Sequence, residues 1–325
     1  MSGERHRIVV GDCLESLRGM ASDSANCCVT SPPYFGLRDY GVEGQIGLEE
    51  TPSEFIARLV EVFRQVRRVL REDGTAWVNM GDTYGKGKQL LGIPWRLAFA
   101  LQDDGWILRQ EIIWSKPNPM PESVRDRCTK SHEHIFLLSK SPAYFFDQEA
   151  IKEPVAPSSI ARLSQDIENQ AGSDRVPGKT NGPMKAVRSR RDSFRRDGSK
   201  REQAIPGQSC GTHRPDREES DYALDLRNKR SVWSVPTIGF KGAHFATFPP
   251  DLIRPCIRAG CQPDGLVLDP FGGSGTTAVV AMQEGRRSTL CELNPEYAEM
   301  ARKRIDAAWL DGAAQMDILR DQPAA

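Results

Sequence analysis

The chain has 325 residues, enough for one large domain or two ordinary ones around a substantial core, and Lys+Arg and Asp+Glu both total 44. That balance excludes any argument for a polyanionic partner from overall charge, so a nucleic-acid signal must be local. No apolar run approaches the roughly 18 residues that span a bilayer, and the start Met1-Ser2-Gly3-Glu4-Arg5-His6-Arg7 has no apolar stretch behind its charges, so a cytoplasmic protein with no membrane partner is expected.

None of the eight cysteines forms a Cys-x-x-Cys pair; Cys27 and Cys28 are adjacent, and Cys256 and Cys261 lack nearby histidines. Neither a metal site nor a disulfide framework is expected, and small buried thiols in a reducing compartment account for the pattern.

Along the chain, strand and helix signals alternate, predicting an α/β sheet with helices on its faces. Arg7-Ile8-Val9-Val10 predicts a short strand running into Gly11-Asp12-Cys13. Asn26-Cys27-Cys28-Val29 predicts a second, which delivers Thr30-Ser31-Pro32-Pro33-Tyr34 at its carboxyl end, where open α/β sheets place ligands. Consecutive prolines hold φ near about −65° and remove two N–H donors, so this turn keeps its carbonyls free to accept. A planar exocyclic amine offers two N–H donors. Ser31 Oγ and the Pro32 carbonyl can accept one each while the Tyr34 ring stacks on the base. An ordinary surface turn is the competing reading for this tetrapeptide alone.

Thr51-Pro52-Ser53-Glu54 reads as a capping box with proline at the first helical position, and Phe55, Leu59, Val62, Phe63, Val66, Val69 and Leu70 then recur on one helical face. Gly74 to Met80 predicts a strand, Pro94 to Asp104 a helix stopped by Gly105, Trp106 to Trp114 a strand, and His134 to Ser139 one more.

Between Ile151 and about Val235 the rhythm stops. Lys185 to Arg201 holds eight cations, Lys185, Arg188, Arg190, Arg191, Arg195, Arg196, Lys200 and Arg201, against two aspartates, a local net charge of +6. Such a stretch suits phosphate contacts and is expected to order largely on binding; a solvated loop is the bland alternative.

The rhythm resumes near Phe248. Gly265 to Asp269 predicts a strand that opens into Pro270-Phe271-Gly272-Gly273-Ser274-Gly275-Thr276-Thr277, followed by a helix from Ala278 to Glu284 and a strand from Arg287 that ends on Glu292. Asn294-Pro295 then caps a last helix. Strand, glycine turn, helix and a second strand ending on an acid form a nucleoside-binding unit in which the acid can accept ribose hydroxyls. Gly273-x-Gly275-x-x-Ala278 also matches a dinucleotide fingerprint, so an NAD-dependent oxidoreductase is the rival reading. A Walker loop is excluded because no lysine follows the last glycine.

Asp269-Pro270-Phe271-Gly272-Gly273-Ser274-Gly275-Thr276-Thr277 together with Thr30-Ser31-Pro32-Pro33-Tyr34 resembles the paired signatures of the S-adenosylmethionine-dependent DNA amino-methyltransferases. The order, target-amine motif, basic stretch, cofactor motif, is similar to that family's circularly permuted β group. The resemblance implies a Rossmann-like, mostly parallel twisted sheet with helices on both faces, formed by residues 1–150 and 236–325 as catalytic domain. Residues 151–235 would be a basic target-recognition insert, partly disordered without DNA.

It also implies a cofactor site of Asp12, Cys13, Phe248, Pro249, Asp269, Phe271, Gly273, Ser274, Gly275, Thr276, Glu292 and Asn294, and catalytic roles for Ser31, Pro32, Pro33 and Tyr34. A helix cap is the competing role for Asp12, and Asp269 suits orienting the glycine turn. His244 to Pro249 is similar to the segment that lines the methionine pocket, although many members carry Thr-Gln-Lys-Pro where this chain has Ala246-Thr247-Phe248-Pro249. Trp114 and Lys116 precede a Pro-rich loop similar to one that meets the target strand, and Lys185, Arg188, Arg190, Arg191, Arg195 and Arg196 would meet the DNA.

By the same resemblance the partner is double-stranded DNA, with a homodimer and a cognate restriction endonuclease acting on the same site as family options. The base would flip out at an unstacking cost of roughly a few kcal/mol. Serine before Pro-Pro-Tyr goes mainly with cytosine N4 in this family and aspartate with adenine N6, so Ser31 favours cytosine, with N6-adenine the alternative. A non-catalytic DNA-binding module built on the basic insert is a third hypothesis.

Overall fold

In a computed structural model of the protein, the described residues are 5–39, 41–156, 226–237 and 248–320, with side chains as far as residue 311. The chain divides into two compact units, Met1–Ile151 with Arg230–Ala325 and Lys152–Lys229. In the smaller unit, β6 (Glu153–Pro154) and β7 (Leu226–Arg227) pair antiparallel, and Arg227 Nε donates to Glu153 Oε1 at 3.0 Å.

The larger unit carries β1 (His6–Val10), α1 (Cys13–Arg18), β2 (Ala25–Thr30), α2 (Pro52–Val69), β3 (Leu70–Met80), α3 (Ile93–Asp103), β4 (Ile107–Ser115), β5 (His132–Ser139), β8 (Val232–Ser234), α4 (Pro250–Gly260), β9 (Leu266–Asp269), α5 (Thr276–Gln283), β10 (Arg287–Glu292) and α6 (Pro295–Arg320). Its eight strands run in the order β1-β10-β9-β2-β3-β5-β4-β8. All neighbouring pairs are parallel except those made by β5, which runs against both β3 and β4.

Local sequence explains most elements. Thr51 accepts from the Glu54 N–H while Glu54 reaches back to the Thr51 N–H, closing the capping box that starts α2. Phe55, Leu59, Val62, Phe63 and Val66 on its inner face are wholly buried, each contributing about 1.5–3 kcal/mol of transfer free energy. The helix stops at Val69. Leu70, expected on the helical face, turns extended and opens β3 opposite Ala25.

Helix α4 was not legible as a helix, because Pro249, Pro250 and Pro255 break the pattern. Pro250 occupies the tolerated first turn, Pro255 sits inside, and Leu252, Ile253, Cys256 and Ile257 form a buried face. A Cβ on Gly260 at its end would lie 2.5 Å from Trp77 Nε1, so only glycine lets this helix approach β3 so closely.

Two-residue alternation divides the core. Cys28, Ala76, Val78, Phe136 and Leu138 face α1, α2 and α3, whereas Cys27, Val29, Trp77, Ile135 and Leu137 face α4 and α5. Helices thus cover both faces of the sheet. From β2 the chain winds through α2 to β3, and from β9 through α5 to β10 in the opposite direction along the sheet. Between β2 and β9, therefore, lies a topological switch point, where α/β sheets open a crevice at their carboxyl ends.

Among the described residues, no helix is long and apolar enough to cross a membrane, and no cluster of His, Cys, Asp and Glu is arranged to hold a metal ion.

Candidate active site

A cleft of about 770 Å³ opens at the switch point. Asp12, Cys13, Ser31, Pro32, Pro33, Tyr34, Trp114, Lys116, Phe248, Asp269, Phe271, Gly273, Ser274, Thr276, Glu292 and Asn294 line it, so most sequence-predicted positions converge on one wall system. Lys185, Arg188, Arg190, Arg191, Arg195 and Arg196, and the segment from His244 to Thr247, lie outside the described residues.

The two signature motifs are bonded to one another. Thr30 Oγ1 donates to Asp269 Oδ1 at 2.7 Å, and the same carboxylate accepts the Phe271 N–H at 3.0 Å and Thr277 Oγ1 at 2.6 Å. Asp269 is 2% exposed. Burial pushes its carboxyl up, opposed by the bonds from Thr277, Thr30 and Phe271. With its acceptors committed inward, it orients the glycine turn.

That turn is shaped for close approach. Gly273 has φ +50 and Gly275 φ +80. Gly273 N–H donates to Glu292 Oε2 at 2.7 Å and Asn294 N–H to Glu292 Oε1 at 2.8 Å, which aims the Glu292 carboxylate across the end of β10. Burial raises the Glu292 carboxyl, while its backbone donors, Asn294 first, lower it. Gly275 and Pro249 lie behind the cleft wall. A Cβ on Gly275 would meet Ala301 Cβ at 2.8 Å, so its glycine serves the packing of α6, and buried Pro249 precedes α4. Asp12 accepts from the Glu15 N–H at 3.0 Å and so caps α1 as well as lining the cleft.

At the other end of the cleft lies a polar hub that the sequence did not single out. Tyr34 Oη donates to Glu133 Oε2 at 2.6 Å; Asn79 Nδ2 donates to the same oxygen at 2.8 Å, to Tyr34 Oη at 3.0 Å and toward Ser31 Oγ at 3.4 Å. Lys116 forms an ion pair with the other oxygen of Glu133. Burial would raise the Glu133 carboxyl, but the Lys116 charge and the bonds from Lys116, Tyr34 and Asn79 outweigh it and hold it below the usual carboxylate range. The Tyr34 hydroxyl is raised well above its ordinary value, by burial and then by the Glu133 charge.

Available signals were a polar Asn79 in the apolar run Ala76 to Met80 and an acid between His132 and His134. Trp114, expected at the target strand, lines the cleft and is 3% exposed: its indole N–H donates to the Val235 carbonyl at 2.7 Å and Lys116 Nζ sits 4.4 Å from its ring centroid.

A mostly parallel sheet with one reversed strand, a glycine turn and acid at the switch point, and a proline-locked turn beside them define an α/β methyltransferase fold. The chain belongs to the N6/N4 methyltransferase family, described as DNA methylase, which matches residues 25–303. Similar proteins include Type II methyltransferase M.XycI of Xanthomonas campestris pv. cyanopsidis, 42% identical over 91% of this chain and 86% of that one. Type II methyltransferase M.SmaI of Serratia marcescens is 40% identical over 92% of this chain and 90% of its own. Among solved structures, PvuII DNA methyltransferase (cytosine-N4-specific) superposes with a TM-score of 0.61 at 20% identity, covering 92% of this chain and 86% of that one. The oxidoreductase reading, which rested on glycine spacing alone, gives way to this family.

Proposed function

We propose that this protein methylates the exocyclic N4 amine of a cytosine flipped out of duplex DNA, as the modification enzyme of a Type II restriction-modification system. The carrying observation is the Thr30 to Asp269 hydrogen bond at 2.7 Å, which sets an amine-gripping turn beside a nucleoside-binding turn in one cleft. Relatives named Type II methyltransferases at 40–42% identity support the system, and the cytosine-N4-specific neighbour and Ser31 support the base.

The residues fit S-adenosylmethionine. Glu292 keeps acceptor capacity for ribose hydroxyls after binding two backbone N–H groups, Gly273 lets ligand approach the backbone, and Phe271 and Phe248 supply apolar walls. When bound, it supplies an activated methyl group on a sulfonium centre.

An exocyclic amine is a poor nucleophile because its lone pair is delocalised into the ring. Ser31 Oγ and the Pro32 carbonyl accept its two N–H groups and favour a pyramidal nitrogen whose lone pair points at the methyl donor. Tyr34 stacks the base, and alignment for in-line displacement supplies much of the rate. The released proton leaves to water. Duplex DNA is the substrate, Lys185 to Arg201 the phosphate-contacting segment, and a restriction endonuclease of the same site the functional partner.

Expression in a methylation-free host followed by nucleoside mass spectrometry tests the reading. N4-methylcytosine is expected and N6-methyladenine overturns the base. Ser31→Asp and Tyr34→Ala proteins that still bind S-adenosylmethionine are expected to lose transfer.

A further inference from the structure

We propose that Glu133, paired with Lys116, is the positioning residue for both halves of the target-amine site: it fixes the Tyr34 ring and, through Asn79, the Ser31 hydroxyl. This rests on the amine-site reading above and adds to it a device that lies on β5, remote in sequence from the turn it serves.

A carboxylate only accepts hydrogen bonds, so it dictates the direction of every bond around it. Tyr34 Oη must donate to Glu133, at 2.6 Å, which leaves its oxygen to accept from Asn79 Nδ2 at 3.0 Å. Asn79 must likewise turn its NH₂ toward Glu133, at 2.8 Å, and that edge also faces Ser31 Oγ at 3.4 Å. The same polarity shows at the other end of the amide. Among the described residues, Asn79 Oδ1 is buried and has no hydrogen-bond partner. Turning the amide round would set that oxygen against the carboxylate, so the orphan acceptor persists because Glu133 is charged.

The tyrosine ring is held from the other side by backbone. A Cβ on Gly81 would lie 2.5 Å from Tyr34 Cε2, so the ring rests directly on the chain after β3. One hydroxyl tether and one backbone contact hold a ring that would otherwise pivot on the Pro33 turn. Lys116 supplies the countercharge from the end of β4, and neither Lys116 nor Glu133 is more than 19% exposed at its side chain. A base stacked on Tyr34 would therefore meet a face whose angle is set by an ion pair, with the Ser31 lone pair set by the same network.

The test uses the full chain with labelled S-adenosylmethionine and unmethylated bacterial duplex DNA, comparing Glu133→Gln, Tyr34→Phe and the double variant. Glu133→Gln is expected to lower kcat by roughly 10²-fold, the loss that a misplacement of about 1 Å brings, with KM for DNA and affinity for S-adenosylmethionine within about twofold of wild type. Tyr34→Phe keeps the ring and loses the tether, so it should lower kcat as well, and the double variant should be little worse than Glu133→Gln alone. Independent, multiplying losses would overturn the proposal, as would unchanged kcat in a folded Tyr34→Phe protein should Glu133→Gln fail to fold. A joint fall in cofactor affinity and melting temperature with no kcat-specific loss would assign Glu133 to stability instead. Absence of methyl transfer by the wild type sinks the amine-site reading itself, which an active wild type with unaffected variants does not.

Discussion

Thr30 and Asp269 stand 239 residues apart in sequence and are joined by a 2.7 Å hydrogen bond at the adjacent carboxyl ends of β2 and β9. The bond is buried, with Thr30 1% and Asp269 2% exposed, so neither partner has water to fall back on. It fixes the spacing between the two turns that open from those strands. Thr30→Val removes the donor while keeping the shape, and we expect a loss of about 1–3 kcal/mol in unfolding free energy by urea titration. A midpoint unchanged from wild type would show that the two strands hold that spacing without it.

Gly81 is expected to be intolerant of even one methyl group. Gly81→Ala puts a carbon 2.5 Å from Tyr34 Cε2, so the ring must swing away from its seat. Overpacking of this kind costs about 1–3 kcal/mol, and methyl transfer should fall by roughly 10²-fold with S-adenosylmethionine binding preserved. Full transfer activity in a filter-binding assay would argue against the ring's orientation mattering.

Glu292→Gln separates charge from shape. The carboxylate accepts from Gly273 and Asn294, one on each oxygen, whereas an amide must turn an N–H toward one of these donors. Losing one charged hydrogen bond is worth about 1.5–3 kcal/mol, so calorimetry should show S-adenosylmethionine affinity lower by about 10-fold to 150-fold. An affinity within twofold of wild type would detach Glu292 from the cofactor.

His6 makes stability pH-dependent in a defined window. Burial, and then the neighbouring Arg5 charge, lower its pKa from 6.5 to about 4, and its ring lies 3.0 Å from Ser288 Oγ across the β1–β10 pair. The folded protein thus binds the proton less readily than the unfolded chain, so the contribution is full above the unfolded value and is lost as pH falls toward about 4. Unfolding free energy should decline over that interval in wild type and decline less in His6→Gln.

The glycine turn and the Pro-Pro turn were legible because their chemistry is local: a few consecutive residues carry the backbone shape and the polar groups together. Asn79 and Glu133 were not, for a reason of register. Strand β5 inserts antiparallel between β3 and β4, pairing Asn79 with Ile135, so Glu133 becomes its diagonal neighbour on the same face. Nothing in the order of the sequence announces which strand will be reversed. The burial of Trp114 was hidden for a related reason, since it comes from the pairing of β4 with β8, a strand far along the sequence. Helix α4 was hidden by its prolines, whose cost is met by the apolar face it buries.

The pairing of β2 with β9, Cys27 with Val267 and Cys28 with Leu268, also sets an order of assembly during translation. The seam at the middle of the sheet closes late, because β9 is made long after β2 and only β10 follows it. At roughly 5–20 residues per second, the apolar flank of β2 waits on the order of tens of seconds for its partner strand. A nascent chain released before residue 269 would present that flank as an open edge, the feature from which intermolecular strand pairing starts. Synthesis of this protein therefore carries an aggregation hazard that disappears only once β9 has docked, and chaperone demand should peak in that interval.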